Sequence, residues 1–134
     1  MPLKKPAPGP ARSVLALSAI PAGLIGLILI VSAKLFEAPM GFAMDAQTAT
    51  IAQALGAILL GLACINWLAR DVSDRPALWA ILYGNFVVQV VSFAIVARAL
   101  VRGLIPTSSI GIAVFHVLLG AAFAWQMRNL RSSI

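Results

Sequence analysis

Gln53, Cys64, Asn66, Tyr83, Asn85, Gln89, Ser92 and His116 stand inside long apolar runs. Asn85, Gln89 and Ser92 are spaced i, i+4, i+7, which sets them on one face of a helix. Amides and hydroxyls stay neutral, so the chemistry of that face is hydrogen bonding. His116 is the single histidine, and among these groups it alone titrates near neutral pH. It can give one ring nitrogen to the metal of a haem- or chlorophyll-type pigment, whereas a haem held by two histidines of one chain is impossible. Glu37, Asp45, Asp71 and Asp74 all fall outside the apolar runs, so the intramembrane carboxylate of a proton or sodium pump is missing. No paired carboxylates, metal-ligand cluster or Gly-rich phosphate loop is visible. Ser92 and His116 lack the third, orienting acid of a nucleophile–base pair. These residues argue against an enzyme and for no bound cofactor, with a single-histidine pigment or haem contact as the alternative.

The elements that carry them follow from composition. Of 134 residues, 61% are hydrophobic and 10% charged, against about 25% charged in a soluble domain. Too few charges remain to coat a water-facing surface, which excludes a soluble enzyme, a disordered chain and a disulfide scaffold. Residues 14–33, 50–69, 77–97 and 108–127 contain no Asp, Glu, Lys or Arg. Each is close to the ~20 residues that cross a ~30 Å hydrocarbon core as a helix. Runs such as GLIGLILIV and FVVQVVSFAIV do not alternate as membrane β-strands must. Backbone groups in lipid need internal partners, so helix overrides the β-preference of Val and Ile. The expected fold is all-α: one integral membrane domain over residues 14–127, four transmembrane helices in an antiparallel up-down bundle. Residues 1–13 read as a disordered Pro-rich basic tail and residues 128–134 as a second tail.

Net charge is +6, but the basic residues are scattered over tails and loop edges. That fits topology signals and lipid headgroups rather than nucleic acid, which needs a basic stripe. With the N-terminus inside, Lys4, Lys5, Arg12, Arg70, Arg75, Arg128 and Arg131 lie inside, against Lys34, Arg98 and Arg102 outside. Both termini are therefore expected in the cytoplasm of a bacterial inner membrane. Trp67, Trp79 and Trp125 fall at the same inner interface and, with Arg70, Arg75 and Arg128, read as anchors. Lys4, Lys5 and Arg12 ahead of Val31-Ser32-Ala33 also fit a cleavable signal peptide, although the apolar run is longer than such peptides use. Cleavage would leave three spans.

Three connections join the spans. In Arg70–Pro76, Ser73 or Asp74 is the expected cap of the third helix, with Pro76 in its first turn. Thr107 or Ser108 is the expected cap of the fourth. Residues 34–49 interleave Leu35, Phe36, Met40, Phe42 and Met44 with Glu37 and Asp45, as in a segment lying in the interface. Met40 and Met44 are placed to share a helix face, but a copper(I) site needs more soft ligands.

Close packing and interhelical hydrogen bonds, rather than apolar burial, drive helix association in lipid. Ala52, Gly56, Ala57 and Gly61 make the second span the best candidate for close approach, at the bundle centre or a subunit interface. Depth pairs the polar groups. Gln89 lies about 18 Å into the third span from inside, and His116 about 12 Å into the fourth from outside. In a ~30 Å core those depths coincide. Asn66 and Asn85 both fall toward the inner side.

The run LGAILLGLACINWLARD, Leu55–Asp71, resembles that of small bacterial four-helix membrane proteins of uncharacterised, DoxX-like type. The resemblance extends loosely over most of the chain, including Gly103. An Arg often precedes the Leu-Gly-Ala of such proteins; here Gln53 and Ala54 stand in that region. The resemblance implies fold and location and carries no catalytic residue across.

The expected function is a non-catalytic accessory or structural subunit of a larger membrane assembly, in contact with lipid and with other subunits or itself. One rival is an oligomeric channel or small-solute carrier lined by Asn85, Gln89, Ser92 and His116. Another is a lipid, quinone or pigment binder acting through His116.

Overall fold

The computed structural model describes residues 9–37, 41 and 43–131. Four helices follow one another: α1 (Gly9–Ser32), α2 (Ala46–Ala69), α3 (Arg75–Val101) and α4 (Ile110–Arg131). Short 3-10 turns, Ala33–Phe36 and Thr107–Ser109, follow α1 and precede α4. Each helix, with its adjoining turn, is long and apolar enough to cross a membrane. The end where α1 begins and α4 ends is called the base, and the opposite end the apex.

The helices overrun the charge-free runs because their ends are capped rather than stopped by polarity. α1 starts at Gly9, so residues 9–13 of the expected tail are helical. Pro10 suits a first turn, where its missing N–H is not needed. Arg12, on α1, meets Asp71 of the next connection at the base at 3.4 Å. Lys4 and Lys5 lie outside the described residues. α2 begins at Ala46 because the Asp45 carboxylate accepts from the Thr48 amide at 2.7 Å. Asp74 caps α3 through the Ala77 amide at 2.9 Å, with Pro76 in the first turn.

α3 ends in a left-handed glycine. Gly103 has φ 65°, its amide donates to Leu100 O, and Leu104 N donates to Ala99 O. This is a Schellman closure, which satisfies two end carbonyls and favours a residue without Cβ. The expected Thr107 or Ser108 cap is not formed. Pro106 takes the capping position of the 3-10 turn with no side-chain bond. The last two basic residues, Arg128 and Arg131, belong to the final turn of α4 rather than to a tail.

The apical connection after α1 is tied to itself. Glu37 accepts from the Met44 amide at 3.0 Å through its carboxylate and from the Gly41 amide at 2.9 Å through its carbonyl. Met40 and Phe42 lie outside the described residues, and Met44 stands in irregular chain ahead of α2. Gly41 has φ 72° and sits against Pro106, where a Cβ would come within 3.0 Å of the proline ring.

Two hairpins, α1–α2 and α3–α4, build the bundle. In the first, backbones touch. A Cβ on Gly26 would lie 2.8 Å from Gly56 O, and one on Gly56 would lie 2.8 Å from Gly26 O and from Leu29 Cβ. Glycine at both positions permits that approach. The hairpins meet each other mainly at the base. There Ala11, Leu15, Ala69, Leu78, Leu82, Phe123 and Leu130 form one buried cluster. α2 is not the centre of the bundle: it is the least buried of the four helices, and α1 the most. Ala52 is half-buried, while Ala57 and Gly61 are exposed, with open space where a Gly61 Cβ would stand.

Candidate functional site

Three helices bring neutral polar groups together above the basal cluster. Ser18 on α1, Asn66 on α2 and Asn85 on α3 are all buried. Asn66 Nδ2 donates to Asn85 Oδ1 at 2.8 Å, and Asn85 Nδ2 returns a bond to Asn66 Oδ1 at 2.7 Å. The second hydrogen of each amide is also used. Asn66 donates to Ser18 Oγ at 3.1 Å and Asn85 to the Ile81 carbonyl at 2.9 Å. Ser18 Oγ passes its own hydrogen to the Leu15 carbonyl at 2.9 Å. The network holds hydrogens in fixed places and contains no titrating group, so it clamps the two hairpins without offering a proton path.

A second pair lies within the α3–α4 hairpin. Gln89 Oε1 and His116 Nδ1 are 2.7 Å apart. A carbonyl oxygen only accepts, so Nδ1 carries a hydrogen, and in the neutral ring Nε2 keeps its lone pair. Gly120, one turn beyond His116, packs beside the pair: a Cβ there would stand 3.4 Å from Gln89 Cβ, an ordinary contact. Beside the pair is a groove of about 210 Å³, walled by Phe86, Phe93 and Val117. Ser92 is half-buried and joins neither group, nor does it line the groove. The polar residues of α3 therefore face two directions, Asn85 across the hairpins and Gln89 toward α4, rather than ranging along one cavity. Gln53 ties α2 to α1 by donating to the Ile30 carbonyl at 3.3 Å.

Three buried polar residues do not stand out in the sequence: Ser18, Ser109 and Gln126. Ser18 sits near the basal end of the first span, at the level of Asn66, and that depth was the available signal. Gln126 lies on the face of α4 that carries Phe123 and Leu130, and its Nε2 is buried without a partner among the described residues. Cys64 is exposed. No group of three or more His, Cys, Asp or Glu is placed to hold a metal among the described residues.

The three tryptophans, with Arg12, Arg70, Arg75, Arg128 and Arg131, gather at the base. Trp67 and Trp125 are exposed, while Trp79 is half-buried and stacked on Tyr83, with ring centroids 5.2 Å apart. The Arg70 guanidinium lies 3.5 Å over the Trp67 ring, and that of Arg131 lies 5.2 Å from the Trp79 ring. Arg70 and Arg12 both approach Asp71 at 3.4 Å.

Four spanning helices joined by neutral polar contacts define a multi-pass helical membrane protein. No protein-family model, curated protein or solved structure matches the chain.

Proposed function

We propose that this protein is a non-catalytic structural or accessory subunit of a larger assembly in a bacterial-type inner membrane. The observation that carries this reading is on α2. Its Gly56 is spent on α1, yet the adjoining Ala57 and Gly61 face is equally small and stands bare. Small residues on an exposed helix face permit close approach of another helix in lipid. The polar groups support the same reading, since Asn66, Asn85 and Ser18 are consumed by one another. The excess of basic residues at the base favours cytoplasmic termini. The resemblance of Leu55–Asp71 to DoxX-like proteins agrees with this location. The test is gentle-detergent capture from membranes of the native host, followed by native mass spectrometry. A stoichiometric complex with a second membrane protein is expected, and a lone monomer overturns the reading.

A second reading rests on His116. Gln89 orients the ring and leaves Nε2 able to accept a hydrogen or to ligate a metal, beside an aromatic-walled groove. The groove is smaller than the ~300–1,000 Å³ of a drug-sized site, so it takes one ring, as of a quinone-type lipid, rather than a whole pigment macrocycle. A co-purifying aromatic molecule, lost in His116→Leu and retained in Gln53→Leu, is the expected sign. Its absence from native preparations contradicts this reading.

A further inference from the structure

We propose that the groove between α1 and α2 binds an anionic phospholipid, one acyl chain lying in the groove and the phosphate held by Arg70. The groove is the larger of the two cavities described, about 460 Å³. Ala19, Gly23 and Ala63 form its floor, and Leu27, Cys64 and Trp67 are among its walls. The floor is bare because the helices close there on small residues: a Cβ on Gly23 would already touch Ala63 Cβ at 3.4 Å. From Ala19 to Leu27 the groove follows α1 for about 12 Å, a long, narrow apolar slot that suits an extended hydrocarbon chain.

Its basal end supplies the headgroup contact. Trp67 and Leu68 close that end, one turn or less from the end of α2. The Arg70 guanidinium is stacked on Trp67 at 3.5 Å, which holds the charge at the mouth of the slot. Arg70 meets Asp71 through Nε, a contact of 3.4 Å. Arg12 shares the same carboxylate at 3.4 Å, so two cations stand against one anion. One phosphodiester balances that excess, and the planar guanidinium fork matches its oxygens. A choline headgroup would bring another positive charge to the cluster, so phosphatidylglycerol is favoured over phosphatidylcholine. The site stands independently of the subunit reading, because it needs no second protein.

The test uses the full chain in vesicles of equimolar phosphatidylglycerol and phosphatidylcholine, extracted gently for native mass spectrometry. Wild type is expected to carry phosphatidylglycerol about fivefold over phosphatidylcholine, the preference that one well-placed basic residue gives. Arg70→Gln should bring the ratio near one, while Arg128→Gln, the same change of charge on α4, keeps the preference. Cys64→Trp, at an exposed lining position, should displace both lipids, with helix content by circular dichroism showing that the fold survives. The chain's single thiol adds a readout without mutation: alkylation of Cys64 should be slower with phosphatidylglycerol bound. Equal amounts of both lipids on wild type, an unchanged preference in Arg70→Gln, or a second copy of the chain in place of lipid would overturn the proposal.

Discussion

The base and the apex of the bundle are held by different means. At the base all four helices contribute to one buried cluster, and the Asn66–Asn85 pair locks one hairpin to the other just above it. Toward the apex each helix keeps mainly its hairpin partner. α1 and α2 remain together there through glycine backbone contact, and Gly41 against Pro106 joins the two apical connections. On α3, nothing beyond Gln89 is buried. Polar satisfaction thus unites the hairpins, and loss of side chains unites the helices within one of them. Lipid makes the second device effective, because it lets dispersion between backbones compete with dispersion to acyl chains.

The largest effect should come from separating the two glycines of the first hairpin. Gly56→Leu places its side chain against Gly26 O and Leu29, so α1 and α2 must move apart. The cost should be about 3 kcal/mol or more, read as loss of the folded fraction in detergent titrations. Gly61→Leu, with open space around it, should change the isolated chain's stability by under about 0.5 kcal/mol. Equal costs at the two positions would break the account of the first hairpin.

The basal clamp comes next. Asn85→Leu leaves the buried Asn66 amide without its main partner and should cost about 2 kcal/mol. Replacing both by Leu should recover much of that loss, since no orphaned amide remains. A double variant as unstable as the sum of the singles would mean that the pair does not act as a unit.

The outermost basal contact is weaker. Arg12 and Asp71 are both about half exposed, so Arg12→Gln should cost under about 0.5 kcal/mol, less still in high salt. A thermal-shift series over ionic strength measures it. The smallest effect is apical. Bonds from Thr48 hold the Asp45 carboxyl below the usual carboxylate range. A lowered folded pKa stabilises the fold above the unfolded value, and that contribution is lost as pH falls through the folded one. Asp45→Asn should flatten this acid limb while keeping a capping oxygen, as read from unfolding midpoints between neutral and acid pH.

The four helices were legible because runs free of charge leave a chain in lipid no other way to pair its backbone. Their ends were less so. Asp74 is one of two expected caps of α3, whereas Asp45 stands in a segment that reads as interfacial and gives no sign that α2 starts at Ala46; nor do residues 9–13 declare that α1 already includes Arg12. Depth alone placed Asn66 near Asn85 and Gln89 near His116, since equal depth on neighbouring helices is close to contact. It did not say which helices are neighbours, so Ser18, at the same level as Asn66, passed unnoticed. The faces were hardest to read. In water the apolar side of a helix points inward, whereas in lipid both sides are apolar, so Gly56 and Gly61 look alike in sequence and lie on different sides of α2.

The bare side of α2 is proposed to belong to another protein. A photo-crosslinking side chain placed at Gly61 and activated in membranes of the native host tests it most directly. A discrete adduct with a second polypeptide is expected, absent when the same probe stands at the exposed Val91 of α3. Adducts with lipid alone at Gly61 would contradict it.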